Sequence, residues 1–193
     1  YWEVLRMILT LDVETTFIKT DKGSDPSPYT RGNQLVSVGF KEDDNPVQYI
    51  WFYHSKKDPT PNNMKIVQDA LDRADVLLGH NIKFDLQWLF ASGFTYDGPV
   101  YDTMVFDYVW ARGVKVPLSL DECCRRHKTP TKKKKEILEN YLKEGMGFDI
   151  IPADIVEEYG IADVQSTYEV AVSQSKQEGK SIEQIAAYVV PVF

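Results

Sequence analysis

The sequence of 193 residues contains little cysteine and histidine, two and three residues respectively. The two cysteines, Cys123 and Cys124, are adjacent, and a disulfide between neighbouring residues is strained. The three histidines supply no spacing typical of a zinc site. We therefore expect two free thiols, which are typical of a reducing compartment, and hence a cytoplasmic protein.

The sequence also lacks the run of about 20 apolar residues that spans a membrane. No signal peptide is recognisable, so we expect no membrane partner. The chain begins at Tyr1 and not at a methionine. Either it is a fragment, or residues 1–6 are not the native start, for which Met7 is a suitable residue.

Basic residues are in the minority, with 22 against 29 acidic residues and a net charge of −7. Because neutralisation of phosphates dominates affinity for nucleic acids, this balance weakly favours other ligands unless bound cations or a basic patch offset it. The hydrophobic fraction of 43% indicates a globular protein. The length fits a single domain over residues 1–193.

Short apolar runs at residues 7–13, 35–40, 47–53 and 76–79 predict strands, and the polar turn at residues 41–46 favours an antiparallel meander. Residues 20–32 are rich in Asp, Ser, Pro and Gly and predict a loop. Helices are predicted after Asn62, from Asn81, and over residues 103–111, 119–126, 135–143, 152–177 and 182–190. This order predicts an α/β domain with one mixed sheet flanked by helices.

Five aromatic residues in the helical segments are interpreted as core, with stacking on nucleic-acid bases as the alternative. They are Trp88, Phe90, Phe106, Tyr108 and Trp110. Asp102 is interpreted as the N-cap of the helix that follows it, with a place among the functional acids as the alternative.

Asp12 and Glu14 stand at the end of the first predicted strand, where side chains two residues apart point to the same face. Adjacent carboxylates repel each other, and a divalent cation removes that penalty because hard cations take oxygen ligands. Alone, such a pair is more often two solvated charges at a strand end than a metal site.

Two further pairs of residues also have both a functional and a purely structural interpretation. Asn81 and Asp85 share the first turn of a predicted helix, where they either serve a phosphate and a metal or only cap the helix. Tyr159 and Asp163 lie one helical turn apart, and Gly160 between them indicates close approach by another group. Taken in order, the three segments form a distinctive set.

This ordered set resembles the DEDDy branch of the DnaQ-like exonuclease superfamily. The stretch Tyr-Asp-Thr-Met at residues 101–104 and Leu-Ser-Leu-Asp-Glu at residues 118–122 are similar to the proofreading domain of family A DNA polymerases. Residues 35–39, 79–86 and 151–163 most resemble the polymerases of bacteriophages, in particular those of marine cyanophage type. The resemblance spans about residues 7–175 and implies an RNase H-like fold with a mixed five-stranded sheet.

The resemblance also implies an activity, which is 3′→5′ exonucleolytic hydrolysis with two Mg²⁺ ions, for which Mn²⁺ is a substitute. The implied catalytic residues are Asp12, Glu14, Asp85, Tyr159 and Asp163, of which the four acids hold metal. Tyr159 is implied to orient the attacking water.

The implied substrate is a single-stranded DNA 3′ end, contacted by Thr15, Ile18 and Asn81, with release of nucleoside 5′-monophosphates. A polymerase domain in the same full-length chain is the implied partner, with residues 181–193 as the start of the connection, and the host cytoplasm is the location for a phage-encoded protein. The alternatives are a free-standing DEDDy exonuclease or exoribonuclease of RNase D type, and a non-catalytic exonuclease-like module.

The dense basic stretch at residues 132–135, four lysines preceded by Arg125, Arg126, His127 and Lys128, has two interpretations. It either guides single-stranded DNA through phosphate contacts or forms a solvated loop. It departs from the polymerase pattern, which has an aromatic substrate contact near this point.

Overall fold

The computed structural model of the protein describes residues 7–21, 23–130 and 135–186, with the side chains of residues 135–137 excepted. Three sequence interpretations therefore lie wholly or partly outside the described residues. These are the alternative start at residues 1–6, the lysine stretch at residues 132–135 and the end of the connection at residues 187–193.

A mixed five-stranded sheet forms the centre of the fold, in the order β5-β4-β1-β6-β7. Strand β1 pairs antiparallel with β4, and β4 pairs antiparallel with β5, which confirms the predicted meander. Strands β6 and β7 extend the sheet in parallel on the other side of β1. The strands are β1 (Ile8–Thr15), β4 (Leu35–Glu42), β5 (Gln48–Trp51), β6 (Val76–Gly79) and β7 (Val100–Asp102).

Seven helices flank the sheet in the described part of the chain, which confirms the predicted RNase H-like α/β class. All of the predicted helices are present within a few residues of their predicted bounds, except that the predicted end of the last one, at residue 190, lies outside the described residues. They are α1 (Asn63–Arg73), α2 (Ile82–Ala91), α3 (Thr103–Trp110), α4 (Leu120–His127), α5 (Lys135–Lys143), α6 (Ala153–Glu178) and α7 (Ile182–Ala186).

Three short strands were not predicted as elements. Strand β7 has three residues, and β2 (Ile18–Thr20) and β3 (Gly23–Asp25) form a hairpin within and beside the stretch predicted as a loop. A three-residue strand is too short to show alternation of apolar and polar residues. Such a strand is recognised by its hydrogen bonds to a partner strand. For β7 the partner is β6, which is separated from it in the sequence by helix α2.

The side chains of strand β1 alternate between the two faces of the sheet, so they contact two different layers of the molecule. Leu9, Leu11 and Val13 are buried in the core cluster on the side of α1 and α2. On the opposite face α6 packs closely enough that a Cβ on Gly39 would lie 3.1 Å from a Val164 methyl group. Asp12 pairs with Gly39 in the β1–β4 register, so α6 crosses the sheet beside Asp12.

The interpretation of five aromatic residues as core is wrong for three of them. Trp88 is buried and Phe106 is partly buried, whereas Phe90, Tyr108 and Trp110 are exposed by 40%, 65% and 51%. These three occupy the outward faces of α2 and α3. Aromatic content alone does not show which face of a helix a residue occupies. In the described residues no helix has the length and apolar character needed to cross a bilayer.

Asp102 joins two helix N-termini through one carboxylate. Its oxygens accept hydrogen bonds from the backbone N–H groups of Met104 and Val105, which confirms the predicted cap of α3. They also accept from the N–H groups of Asn81 and Ile82, at 3.0 and 3.1 Å, at the start of α2. Asp102 therefore fixes the position of α2 relative to β7, and α2 carries Asp85.

We predict that Asp102→Ala lowers the free energy of unfolding by about 2 kcal/mol, since it removes two caps worth about 1 kcal/mol each. Urea denaturation measures this loss. Ser119→Ala is the matched control because Ser119 occupies the N-cap position of α4 without a side-chain cap bond. Equal stability of the two variants would contradict a bridging role for Asp102.

Candidate active site

Three carboxylates converge between β1 and α6. Asp12 and Glu14 project from the same face of β1, and Asp163 projects from α6 toward them. One oxygen from each carboxylate lies within 4.8 Å of those of the other two. Glu14 and Asp163 are each only 7% exposed, so little water screens them.

Asp85 lies on the other side of the β1 end and is buried, with 3% exposure. Its Oδ1 accepts a hydrogen bond of 3.0 Å from the backbone N–H of Val13, the residue between Asp12 and Glu14. Burial, and then the charge of Asp12, raise the pKa of Asp85 well above its usual value. The structure thus brings all four predicted acids to one end of β1.

The donor set fits divalent metal ions. Two unit charges at about 5 Å repel by roughly 3–4 kcal/mol at an effective dielectric constant of about 20. Three carboxylates at such separations and low exposure are therefore unfavourable together unless cations or protons neutralise them. Carboxylate oxygens are the ligands that Mg²⁺ and Mn²⁺ prefer.

Tyr159 stands one helical turn before Asp163 on α6, with its ring 6.2 Å from that of Phe148 between centroids. Burial raises the pKa of Tyr159 far above that of a free phenol, and the charges of Asp163, Glu14 and Asp12 raise it further. The metal-free phenol is therefore protonated at neutral pH. It is suited to donating a hydrogen bond rather than removing a proton.

Gly160 explains how α6 comes close to the sheet, as its place in the helix indicated. A Cβ on this residue would overlap the ring of Tyr49 on β5. The Tyr49 hydroxyl lies 2.7 Å from Oγ of Ser37, which pairs with Glu14 in the β1–β4 register. Burial raises the pKa of Tyr49, with a further contribution from Glu14. Tyr49 was not predicted as part of the site, because its contact with Gly160 joins residues more than a hundred positions apart.

The three predicted substrate contacts lie around the same end of β1. Thr15 is buried at the end of β1, where the pairing with β4 shifts register. Ile18 is partly buried in β2, with its Cδ1 close to Gly32. Asn81 is exposed at the N-cap position of α2 in a left-handed conformation.

Two expectations about the start of α2 need correction. The Asn81 side chain makes no capping hydrogen bond, so the alternative in which Asn81 caps α2 is wrong, and Asp102 accepts the N–H groups at this helix start instead. The N–H groups of Asn81 and Ile82 already bind this carboxylate. They are not open to a phosphate, because an anionic group occupies the position that a bound anion would take.

An RNase H-like sheet with clustered carboxylates between its central strand and a crossing helix is suited to binding divalent metal ions. Residues 24–176, which are most of the chain, match the sequence model of a protein family described as 3′-5′ exonuclease. The chain therefore belongs to the 3′-5′ exonuclease family and is an exonuclease enzyme. This family depends on divalent metal ions, which agrees with the acidic cluster. Asp12 and Glu14 precede the matched residues, and the geometry alone unites them with Asp163.

Solved structures share the fold at low sequence identity. NrnC of Brucella melitensis with bound Mg²⁺ has a TM-score of 0.58 and 19% identity, over 94% of this chain and 80% of that one. The family B DNA polymerase of the archaeon Pyrobaculum calidifontis has a TM-score of 0.55 and 16% identity, over 95% of this chain and 27% of the polymerase. The Pan2 exonuclease module of Saccharomyces cerevisiae, in complex with RNA, has a TM-score of 0.54 and 11% identity. A search of curated proteins found no match.

We predict that Gly160→Ala weakens Mn²⁺ binding and lowers the free energy of unfolding by about 1–3 kcal/mol, because an added Cβ forces α6 away from Tyr49. Calorimetric titration and urea denaturation measure the two effects. Gln177→Ala adds alanine at an exposed position of the same helix and serves as the control.

A second variant separates crowding from other effects of this substitution. Gly160→Ala should lower the free energy of unfolding by less in a Tyr49→Leu background than in the unmodified protein, since the smaller leucine side chain leaves room for the added methyl group. An unchanged Mn²⁺ affinity in Gly160→Ala, or a cost that Tyr49→Leu does not reduce, would contradict this account of the helix position.

Proposed function

We propose that this exonuclease removes nucleoside 5′-monophosphates from single-stranded or frayed DNA 3′ ends, as the proofreading domain of a family A DNA polymerase. The observation that supports it most is the convergence of Asp12, Glu14 and Asp163, with Asp85 beside them. These four acids are the ones that the sequence resemblance implies.

The acids have distinct roles in this proposal. Asp12, Glu14 and Asp163 would hold one metal ion, and Asp85, together with Asp12, would serve a second. Bound Mg²⁺, or Mn²⁺ in its place, lowers the pKa of a coordinated water and stabilises charge on the leaving oxygen. The buried carboxylates therefore act as ligands and not as proton acceptors.

The remaining residues orient the reactants. Tyr159 donates its hydroxyl hydrogen bond to position the attacking water, as its raised pKa favours. The backbone N–H of Thr15 contacts the terminal 3′-hydroxyl, Ile18 packs on the terminal bases, and the exposed side chain of Asn81 contacts the scissile phosphate. Thr15 is the last residue of β1, Ile18 begins β2, Asn81 precedes α2, and Tyr159 is on α6 one turn before Asp163.

The polymerase context rests on the sequence resemblance at residues 101–104 and 118–122, and the resemblance to bacteriophage polymerases supports a phage origin. In the archaeal polymerase that shares the fold, the matching region is 27% of the chain, so such a domain occurs there beside others. A polymerase domain in the same full-length chain is the partner that follows from this proposal.

A second candidate function is that of a free-standing exonuclease acting on RNA. The similarity to NrnC favours it, because the match covers 80% of that protein, and one NrnC structure contains bound pGG. Recognition of RNA requires contacts to the 2′-hydroxyl. Both candidate functions are compatible with the fold, so the preferred substrate, DNA or RNA, has to distinguish between them.

We predict that Asp12→Ala and Asp163→Ala each abolish Mg²⁺-dependent trimming of a labelled single-stranded DNA, since each removes a ligand from the three-carboxylate cluster. Circular dichroism should show an unchanged fold, because removing one charge relieves repulsion. Asp154→Ala, which removes an exposed acid from the first turn of α6, should retain full activity. Trimming that persists in purified Asp12→Ala protein would refute the assignment.

We further predict faster hydrolysis of single-stranded DNA than of RNA with the same sequence, measured as kcat/KM with Mg²⁺. A proofreading domain acts on deoxynucleotide ends, so a 2′-hydroxyl should bring no gain. A preference for RNA of tenfold or more would favour the free-standing exoribonuclease instead. Equal loss of both activities in Asp12→Ala shows that one site performs both.

A further inference from the structure

A chain of contacts leads from the carboxylates to a lysine that the mechanism does not use. Tyr159 packs against Phe148, which belongs to the segment at residues 144–152 between α5 and α6. Gly145, three residues before Phe148, lies in close contact with Lys19 of β2. A Cβ atom added to Gly145 would overlap the Lys19 amino group and would lie 3.3 Å from the Lys19 Cε atom.

The backbone limits the distance between Lys19 and the end of β1. Lys19 follows Thr15, the last residue of β1, by four positions. Four residues span at most about 14 Å even when fully extended. The Cα of Lys19 therefore lies within that distance of the Cα of Thr15. Its side chain reaches Gly145, in the segment that also carries the Phe148 contact with Tyr159.

The Lys19 amino group is available to a ligand. The side chain is exposed, and among the described residues it has no ion pair or hydrogen bond. Lys65 and Lys41 differ in this respect, since Lys65 pairs with Asp69 and Lys41 with Asp44. In a chain of net charge −7, a lysine that contacts the segment beside Tyr159 offers a cation to a polyanionic strand that approaches the acids.

We propose that Lys19 binds a backbone phosphate of the substrate strand on the 5′ side of the scissile phosphate. This inference rests on the proposed function, because it takes the strand's 3′ end to lie at the carboxylates. A lysine binds phosphate as a mobile point charge, without reading the base. Lys19 is thus a positioning residue that gives affinity for strands longer than a dinucleotide and leaves the hydrolytic step unchanged.

The test compares Lys19→Gln with Lys176→Gln. Lys176 is also exposed, but it lies 13 residues after Asp163 on α6, about 20 Å away along the helix axis. Steady-state kinetics use a single-stranded oligodeoxynucleotide and a dinucleotide without a 5′-phosphate, which contains the scissile phosphate alone. Fluorescence anisotropy of a labelled oligodeoxynucleotide in Ca²⁺ measures strand binding without relying on cleavage.

In Lys19→Gln we expect KM for the oligodeoxynucleotide to rise about threefold to tenfold, as for one partly screened charge contact, with kcat nearly unchanged. The slope of log affinity against log salt should fall by about 0.7, the value for one phosphate of a single strand. The dinucleotide kinetics should not change. Lys176→Gln should behave as the unmodified protein in every assay.

Equal KM and equal salt slopes in Lys19→Gln and the unmodified protein would overturn the proposal. A dinucleotide KM that rises as much as that of the longer strand would also overturn it, since the contact would then be to the scissile phosphate. If the unmodified protein trims no strand, the proposed function fails. The anisotropy comparison still decides whether Lys19 contributes to strand binding.

Discussion

The carboxylates that meet at the end of β1 repel one another, and the elements that carry them have to be held in place against this repulsion. Asp12, Glu14 and Asp163 lie within 4.8 Å of one another, and the burial of Asp85 beside them adds a fourth acid. Such a cluster opposes folding, since each charge loses hydration and gains like-charged neighbours. The rest of the fold has to hold β1, α2 and α6 together until cations neutralise the acids.

Helix α6 is held on both sides of the acidic site. Before Asp163, Gly160 permits contact with Tyr49. Beyond it, the buried Lys41 amino group donates to Gln165 at 3.0 Å and lies over the ring of Tyr168. Further along, the Gln174 amide donates to the Thr103 carbonyl and to Asp107.

Asp107 links α6 to α3 and α4. Burial alone would raise the pKa of Asp107, but hydrogen bonds from His127, Arg126 and Gln174 hold it below its usual value. The carboxylate is therefore ionised above about pH 4, and its contribution to stability is present there and declines as the pH falls below that value. This network stabilises the helix that carries Tyr159 and Asp163 without using the acidic site itself.

The sequence predicted the parts of the fold and site that depend on local patterns. Apolar runs located four of the five central strands, and the spacings of Asp12 with Glu14 and of Tyr159 with Asp163 placed each pair on one face. Contacts that join distant residues had no such signal, which is why the Tyr49–Gly160 contact, the second cap by Asp102 and the approach of Lys19 to Gly145 were not predicted in full. The sequence indicated only one side of the Tyr49–Gly160 contact: glycine is unfavourable within a helix, so Gly160 predicted close approach by another group without identifying Tyr49.

Anomalous scattering from crystals soaked in Mn²⁺ would show directly whether the acids at the end of β1 hold metal. We expect two Mn²⁺ ions there, one near Asp12, Glu14 and Asp163 and a second near Asp12 and Asp85. Crystals of Asp163→Ala should lose the first ion. Density for Mn²⁺ only at other acids, or carboxylates that remain without metal at millimolar Mn²⁺, would contradict this expectation.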